Sequence, residues 1–503
     1  MKNHQHRTRF IYLLIAFILL VSLLITPAVP GGPNAANYIV QGQDSPQVAQ
    51  LVARYGGEVT SHLPIIQGVA ARLTQQAYHR LLADPTVTAI TPNYRVQAAG
   101  QGNLPETDYP DVIGADVVWA EGITGEGLAV AIVDTGIDKD HNGLKKDLAG
   151  NNGHIVAWVD FVAGKNQPVD QNGHGTHIAA IIANTDLGPD GDWNGVAPGV
   201  DLVGVRVLDA NGGGSYDKVI QGIQWVIDHQ DEYNIRVMNL SLVSAAQSPY
   251  WADPLNQAVM QAWAQGIVVV VAAGNGGPDP MTISVPGNTP YVITAGAFTD
   301  NYTPLNWDDD YIAPFSAAGP TLDGFVKPDV VAPGAHMVSL MKANDQLVRD
   351  NPEIQVNSQY ASIAGTSQAA AVTSGAAALV LANNPNLTPD QVKYRLMYSS
   401  AVWVDPVTTE AIYSIWQQGA GRLNAPGAVF EDLDGAANAG LDIWADLAGD
   451  VHYQGYSYYD EDEGVFKLLG GYGTWSGGYG TWSGGYGTWS GGYGTWSGGY
   501  GTW

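Results

Sequence analysis

Three side chains with the chemistry for nucleophilic catalysis lie far apart in this sequence. Asp134 ends an apolar, strand-like run, His174 lies among glycines just before a helical stretch, and Ser367 stands between small residues at the start of an Ala-rich one. A serine hydroxyl is a poor nucleophile unless a base takes its proton, and a histidine oriented by a carboxylate is such a base. Because catalytic groups collect at strand ends in open α/β sheets, folding could bring the three together.

Asn275 supplies a fourth group that such a reaction needs. It follows the apolar run 269–273, and an amide donor at a strand end can stabilise a developing oxyanion by about 3 to 4 kcal/mol. Taken singly, Asp134, His174 and Ser367 have ordinary roles as a strand-end cap, a loop residue and a helix cap. Their occurrence together with Asn275 favours catalysis by an activated serine.

The segments around these residues alternate between strand-like and helical patterns. Helical stretches at 219–229 and 255–265 lie between apolar or β-branched runs at 128–133, 202–208, 237–242, 267–272 and 291–297. Continuous apolar strands that alternate with helices are typical of a parallel sheet covered on both faces. The sequence therefore predicts a large α/β domain.

Two different segments precede this domain. Basic residues, the apolar run 10–25 and the small residues after it predict a secretory signal peptide over residues 1–28, because a membrane anchor needs about twenty apolar residues. We therefore expect a secreted protein. Short strand-like and helical patterns predict a compact α+β unit over residues 37–97, followed by an exposed linker.

Composition excludes several partners and chemistries. The chain has 48 Asp and Glu against 21 Lys and Arg, a formal charge of −27, which argues against nucleic acid or an anionic membrane as a partner. The absence of cysteine rules out disulfides, thiolate metal sites and a catalytic thiol.

The C-terminal part has a different composition from the rest. Residues 431–469 are strongly acidic and predict a linker, and residues 470–503 repeat Gly-Gly-Tyr-Gly-Thr-Trp-Ser. With almost half of each repeat glycine, ordering its backbone is costly in entropy, so we expect disorder. The alternative is that the regularly spaced Tyr and Trp side chains contact carbohydrate or a cell surface.

The motifs around the four residues resemble those of subtilisin-like serine proteases, the subtilases. The resemblance covers about residues 105–430 and includes Asn239-Leu240-Ser241-Leu242, Lys327-Pro328-Asp329 and Gly421-Arg422-Leu423-Asn424. It implies a catalytic triad of Asp134, His174 and Ser367 in the chain order known for subtilisin, with Asn275 in the oxyanion hole. It also implies that residues 37–97 are a propeptide that acts as chaperone and inhibitor, with autocleavage near residues 97–100.

The resemblance further implies a set of substrate-binding residues, and this sequence departs from the family pattern at several positions near the site. Gln368 replaces the usual Met beside the nucleophile and Ala371 the usual Pro, which predicts altered local packing. Val243 stands where the family has Gly, and Gly276 replaces a common acid, so we expect preference for neutral, apolar residues before the scissile bond. The substrate-binding residues implied are Gly212, Gly213, Gly214, Ser241, Leu242, Val243, Ala273 and Gly274.

No cofactor is needed for this chemistry, and a structural calcium ion is left open. The family often binds calcium, but Gly143 stands where a common carboxylate ligand would be. The loop 185–192 is rich in oxygen ligands without completing a known calcium loop. His177, three residues after His174, has the spacing of a metal ligand, yet no third ligand is evident and a structural role is favoured.

The sequence as a whole predicts a secreted serine endopeptidase, made as a zymogen, that forms an acyl-enzyme on Ser367. Its partners would be polypeptide substrates and its own propeptide. The alternative is a non-catalytic protein of the same shape that binds surfaces through its aromatic repeats. No triad residue is missing, which favours the enzyme.

Overall fold

A small α+β domain begins the part of the chain that the structure describes. The computed structural model describes residues 36–93, 95–98, 101–102, 109–188, 191–304, 306–405, 410–469 and 474–475. The small domain consists of β1 (Ala36–Gly42), α1 (Ser45–Arg54), β2 (Glu58–Leu63), β3 (Gly68–Leu73), α2 (Gln75–Leu82) and β4 (Val87–Pro92). Its antiparallel sheet has the order β2-β3-β1-β4, and the mixture of strands and helices agrees with the predicted α+β unit.

Both faces of this small sheet are apolar. Val40 and Val69 pack with helices α1 and α2 in a core of their own. Their neighbours Ile39 and Ala70 belong to the core of the larger domain instead. Because successive side chains of a strand point to opposite faces, the sheet has one face for its helices and one for the large domain. The chain then leaves the small domain as β5 (Arg95–Ala98) and β6 (Gln101–Gly102).

The large domain is built around an eight-stranded sheet. Its strands are β7 (Ala129–Asp134), β8 (Ile155–Asp160), β9 (Asp201–Arg206), β11 (Ile235–Leu240), β13 (Val268–Ala272), β14 (Ile293–Thr299), β15 (Tyr311–Ile312) and β16 (Val330–Pro333). The order is β15-β14-β13-β11-β7-β9-β8, with β16 on the other side of part of β14. All neighbours are parallel except β15, which runs antiparallel to β14. The parallel α/β sheet predicted from the apolar runs is confirmed.

Helices on both sides cover this sheet. The helices of the large domain are α3 (Tyr109–Ile113), α4 (Ala115–Ala120), α5 (Asn142–Lys145), α6 (His174–Ala183), α7 (Tyr216–Asp228), α8 (Gln230–Tyr233), α9 (Pro254–Ala264), α10 (Gln346–Asp350), α11 (Thr366–Asn383), α12 (Pro389–Ser399), α13 (Ile415–Gln418) and α14 (Ala425–Phe430). Helix α11 is buried over nearly its whole length and packs on α6, whereas α7 packs on α9. Small Ala and Gly side chains let α11 lie close to the strands beneath it.

Outside the main sheet, four short strands of the large domain pair with each other or with β5 and β6. They are β10 (Gly213–Ser215), β12 (Leu242–Val243), β17 (Met337–Leu340) and β18 (Tyr360–Ala364). Strand β5 pairs with both β10 and β12, and β6 pairs with β18, which is paired with β17. The segment that leaves the small domain is therefore hydrogen-bonded to the large one.

The acidic segment 431–469 is folded, which corrects the linker that its composition predicted. It contains α15 (Ile443–Leu447), β19 (Ser457–Asp460) and β20 (Val465–Leu468). Leu468 is buried beside Trp416, whose ring nitrogen donates to Ser457 Oγ at 2.8 Å. Asp446 is buried and accepts hydrogen bonds from the hydroxyls of Tyr250 and Tyr291. Most of the other charges stay at the surface, so the segment can join the domain.

The two ends of the chain are largely outside the described residues. The predicted signal peptide lies outside them, and so do nearly all residues of the repeats, for which disorder was predicted. Thr474 and Trp475 are described and form β21, which pairs with β20. Within the described ranges, no helix combines the length and the apolar character that crossing a bilayer requires.

Candidate active site

Asp134 and His174 form a buried pair at the carboxyl end of the central strand β7. Asp134 is the last residue of β7 and His174 the first of α6. His174 Nδ1 lies 2.8 Å from Asp134 Oδ1, and neither side chain has appreciable contact with solvent. Because a carboxylate accepts the proton on Nδ1, Nε2 is the nitrogen that can act as a base.

The carboxylate of Asp170 holds the start of helix α6. Its Oδ1 accepts from the backbone amides of Asn172 and Gly173 at 3.0 and 2.9 Å. Its Oδ2 accepts from the amide and hydroxyl of Thr176 at 2.9 and 2.8 Å. These bonds satisfy amides that a helix start leaves without internal partners, and so they fix the backbone that carries His174. Sequence reasoning missed Asp170, although an acid just before a helix start is a recognised signal.

Ser367 lies in the first turn of helix α11, and this turn is tied to the segment after β11. Ser367 Oγ donates to the carbonyl of Ser241 at 3.2 Å, and Ser241 Oγ donates to the carbonyl of Ser367 at 2.8 Å. Farther along α11, Ser374 Oγ donates to Asn239 Oδ1 at 3.0 Å. Because α6 and α11 also pack on each other, the helices of His174 and Ser367 are fixed relative to the same sheet.

Asn275 is anchored by the residue before Ser367. Its Oδ1 accepts from the amide and the hydroxyl of Thr366 at 2.9 and 3.0 Å. The same hydroxyl accepts from the amide of Gly274 at 3.0 Å. Since both bonds use Oδ1, Nδ2 is the group of this side chain that can donate to an oxyanion. Thr366 is a second residue that the sequence motifs did not single out.

The predicted substrate-binding segments hold a stretch of the chain itself. Strand β5 lies antiparallel between β10 and β12, with Gly213 opposite Gln97 and Leu242 opposite Ala98. On the far side, Ala364 of β18 is opposite Gln101 of β6. Ala364 is three residues before Ser367. The predicted cleavage region, residues 97–100, therefore begins within the paired strand β5 and ends just before the paired strand β6.

Three more of the predicted groove residues, Gly212, Ala273 and Gly274, lie just outside the paired strands. Gly212 has a φ of +72° in the turn before β10, and Ala273 is fully buried next to Gly274. Gly274 has a φ of +114°, and a Cβ there would lie 2.5 Å from Ser284 Oγ. A side chain at this position would therefore disturb the turn that presents Asn275.

The ring of His177 contacts two backbone carbonyls, as a structural role would require. Its Nε2 lies 3.1 and 3.3 Å from the carbonyls of Met337 and Ala361. Complete burial, with a smaller contribution from the charge of His174, lowers the pKa of His177 to about 3. The ring is therefore neutral and ties α6 to strands β17 and β18.

Gln368 is unusual among the residues near Ser367. It is fully buried, and in the described part of the chain neither its Oε1 nor its Nε2 has a hydrogen-bond partner. A buried amide without partners is unfavourable by about 1 to 3 kcal/mol. Gln368 therefore places two polar atoms in the packing beside the nucleophile, at a position where the sequence predicted altered packing.

Comparison with known sequences decides the family. The sequence model described as "Subtilase family" matches residues 125–435, more than half of the chain, and all four candidate residues lie within that range. The chain belongs to the subtilase family.

Individual relatives agree with the family match. The chain is 38% identical over 366 residues to serine protease AprX of Bacillus subtilis (strain 168), covering 72% of this chain and 78% of that protein. It is 31% identical over 363 residues to subtilisin E of the same organism, covering 71% and 81%. These relatives, together with the family match, show that this subtilase is a serine-type endopeptidase.

A solved structure agrees with the fold. The crystal structure of fervidolysin from Fervidobacterium pennivorans, described as a keratinolytic enzyme related to subtilisin, aligns with a TM-score of 0.62 and 24% identity. The alignment covers 81% of this chain and 63% of that chain, so this subtilase spans less than two thirds of the solved protein. At this identity the likeness shows the fold alone.

The calcium site shared by many subtilases does not fit the residues around Gly143. A Cβ at Gly143 would lie 1.8 Å from Asn184 Oδ1, which therefore occupies the space that a side chain at this position would need. Asn184 Oδ1 accepts from the amide of Asp186 at 2.9 Å, and the carbonyl of Gly143 accepts from the amide of Thr185 at 3.0 Å. Over the described ranges, no group of three or more His, Asp or Glu could hold a metal ion.

Proposed function

We propose that this subtilase is a secreted endopeptidase that cuts peptide bonds through an acyl-enzyme on Ser367. Ser367 Oγ attacks the substrate carbonyl while its proton passes to His174 Nε2. The C–N bond then breaks as the same proton is delivered to the leaving amine. Water hydrolyses the resulting ester by the same route, which restores the Ser367 hydroxyl.

The observation that carries this proposal is the buried hydrogen bond between His174 Nδ1 and Asp134 Oδ1 at 2.8 Å. It orients the imidazole at the start of α6, and it stabilises the imidazolium that forms when Ser367 gives up its proton. Asn275 Nδ2 supports the negative charge on the carbonyl oxygen, because Thr366 holds the side chain through its other atom.

Covalent labelling tests the nucleophile. A fluorescent fluorophosphonate should label the chain, and Ser367→Ala should abolish both labelling and peptide hydrolysis. Ser248→Ala, which removes a hydroxyl from a loop remote from the triad in sequence, is the matched control and should keep both. Undiminished labelling of the Ser367→Ala chain would show that the acyl-enzyme forms elsewhere.

The small N-terminal domain is proposed to be an inhibitory propeptide that the protease removes from itself. The pairing of β5 with β10 and β12, and of β6 with β18, supports this role because the chain enters and leaves the groove as a substrate would. Cleavage is expected near residues 97–100. Intact mass should show loss of the N-terminal part in the active chain and retention of it in Ser367→Ala.

The preference before the scissile bond is proposed to be for neutral, apolar side chains. Val243 lies in β12 opposite Gln97, and its side chain is half-buried in the wall of the groove. Gly276 carries no charge that would attract a basic residue. A peptide library should show apolar residues at this position, and Val243→Gly should widen the range of accepted sizes. A profile dominated by Arg or Lys would contradict the proposal.

A further inference from the structure

The N-terminal domain contacts the large domain at a second place, away from the groove strands. Gln41 Nε2 donates to Gln257 Oε1 on helix α9, and also to the carbonyl of Ile66 at 3.2 Å. Gln221 Nε2 on helix α7 donates to Ser61 Oγ at 3.0 Å. The turn Pro64–Ile66 packs on α9. The small domain is therefore held on two helices by amide contacts and apolar packing.

A cavity of about 290 Å³ lies beside the contact between Gln41 and Gln257. Gln41 Oε1 is buried and has no partner in the described residues, so the wall of this cavity contains an acceptor that the protein itself does not satisfy. The N-terminal domain, the large domain and the C-terminal segment 431–469 all line the cavity. Their lining residues include Gln41 and Gln67 from the first, Trp251 and Gln257 from the second, and Asp446 and His452 from the third.

A continuous series of contacts runs from the C-terminal segment to the N-terminal domain. His452 Nδ1 lies 2.8 Å from the buried Asp446 Oδ1, and the His452 ring stacks on Trp251 with 4.2 Å between centroids and 6° between planes. The carbonyl of Trp251 accepts from Gln257 Nε2 at 2.8 Å. Gln257 Oε1 accepts from Gln41 Nε2, so the contacts connect Asp446 to Gln41 without a break.

The N-terminal domain has no net charge, which agrees with its attachment through amide hydrogen bonds and apolar packing. Residues 36–93 contain three Asp or Glu (Asp44, Glu58, Asp84) and three Arg (Arg54, Arg72, Arg80), so with neutral histidines they carry no net charge. The whole chain carries −27. Amide hydrogen bonds and apolar packing, rather than opposite charges, therefore join the two surfaces.

We propose that the C-terminal segment 431–469 completes the docking surface for the N-terminal domain. Through His452 and Trp251 it fixes Gln257, and so it helps to hold the small domain on the protease both before and after the connecting chain is cut. The partner that fits this surface is the sheet face of the N-terminal domain that carries Ile39, Gln41 and Ala70. The proposal rests on the proposed function only in taking that domain to be the inhibitor.

Amide hydrogen exchange on the full chain with Ser367→Ala tests the proposal without any need for catalysis. Trp251→Ala and His452→Ala should each speed exchange of peptides within residues 36–73 at least fivefold, because the domain then detaches from α9 more often. The matched control is Trp444→Ala, which removes an exposed aromatic ring from the same segment outside the cavity. It should leave that exchange unchanged.

Two results would overturn the proposal. The first is unchanged exchange of residues 36–73 in either Trp251→Ala or His452→Ala. The second is an equal rise in all three variants, which would indicate general loosening of the segment rather than a docking surface. Intact mass of each variant shows whether the connecting chain is uncut, so a failure of the proposed catalysis is detected separately from either result.

Discussion

Thr366, the residue before the nucleophile, orients the Asn275 side chain. Its backbone amide and its hydroxyl both donate to Asn275 Oδ1. We expect Asn275→Ala to lower kcat about 10²- to 10³-fold with little change in KM, because an oxyanion donor acts mainly in the transition state. Steady-state kinetics on a peptide amide give the measurement. Thr366→Ser keeps both donors and should stay within severalfold of the parent. A rise in KM at unchanged kcat would assign Asn275 to ground-state binding instead.

Asp345 is a second residue with a measurable consequence. Burial, with smaller contributions from Asp170 and Asp138, raises the pKa of Asp345 to about 7, although the amide of Lys342 donates to it. The unfolded chain loses this proton near pH 4, so between about pH 4 and 7 the folded protein holds more protons than the unfolded one. Stability from Asp345 is therefore present below pH 4 and is lost as the pH rises through 7.

Asp345→Asn removes this ionisation and keeps an acceptor for the Lys342 amide. In the Ser367→Ala background, we expect it to raise the free energy of unfolding at pH 8.5 by about 1 to 3 kcal/mol and to leave the value at pH 4 nearly unchanged. Urea unfolding at both pH values gives the comparison. Asp350→Asn, on the exposed side of the same short helix, should show no such pH dependence. A loss of stability at pH 8.5 would contradict the assignment.

At the scale of elements, one arginine joins three separate segments of the large domain. The Arg422 guanidinium lies between the rings of Trp307 and Trp403, at 4.5 and 4.7 Å from their centroids. Its Nη1 also donates to Asp310 Oδ2 at 2.7 Å. A planar guanidinium can stack on two rings and pair with a carboxylate at once, and an ammonium cannot.

We therefore expect Arg422→Lys to destabilise the protein even though it keeps the charge. The free energy of unfolding should fall by about 1 to 2 kcal/mol, with kcat/KM for a small peptide unchanged. Thermal unfolding in the Ser367→Ala background measures the first effect, and kinetics of the active chain measure the second. Arg349→Lys, an exposed arginine on α10, is the control. Equal melting temperatures for Arg422→Lys and the parent would show that the stacking contributes nothing.

At the scale of the whole molecule, the chain after Phe430 consists of the folded segment 431–469 and the repeats 470–503. A chain that stops after Trp475 should hydrolyse peptides and unfold as the full chain does. A chain that stops after Phe430 should unfold at a lower temperature, because Tyr250 and Tyr291 would then lose the Asp446 carboxylate and be left buried without it. Thermal unfolding of both truncations measures the difference. Loss of hydrolysis in the longer chain would place the repeats within the functional fold.

Sequence patterns predict this molecule best where the contacts are local. The continuous apolar runs of β7 and β13 predict buried parallel strands, and the small residues around Ser367 predict a buried helix. The burial of Asp446 could not be predicted in this way, because its partners Tyr250 and Tyr291 lie far upstream in the sequence. Nothing in an acidic stretch indicates which carboxylate will be buried. The role of Thr366 could not be predicted from the sequence either, because it depends on Asn275, which follows β13, lying beside the start of α11.

The pairing of β5 and β6 with the large domain has a kinetic consequence. Under the proposed function, the bond to be cut is tethered to the nucleophile, so its effective concentration does not change when the protein is diluted. The first cut should then be first order, with the same half-life over a wide dilution series. A half-life that lengthens on dilution would mean that one molecule cuts another, and that the strand in the groove only blocks it.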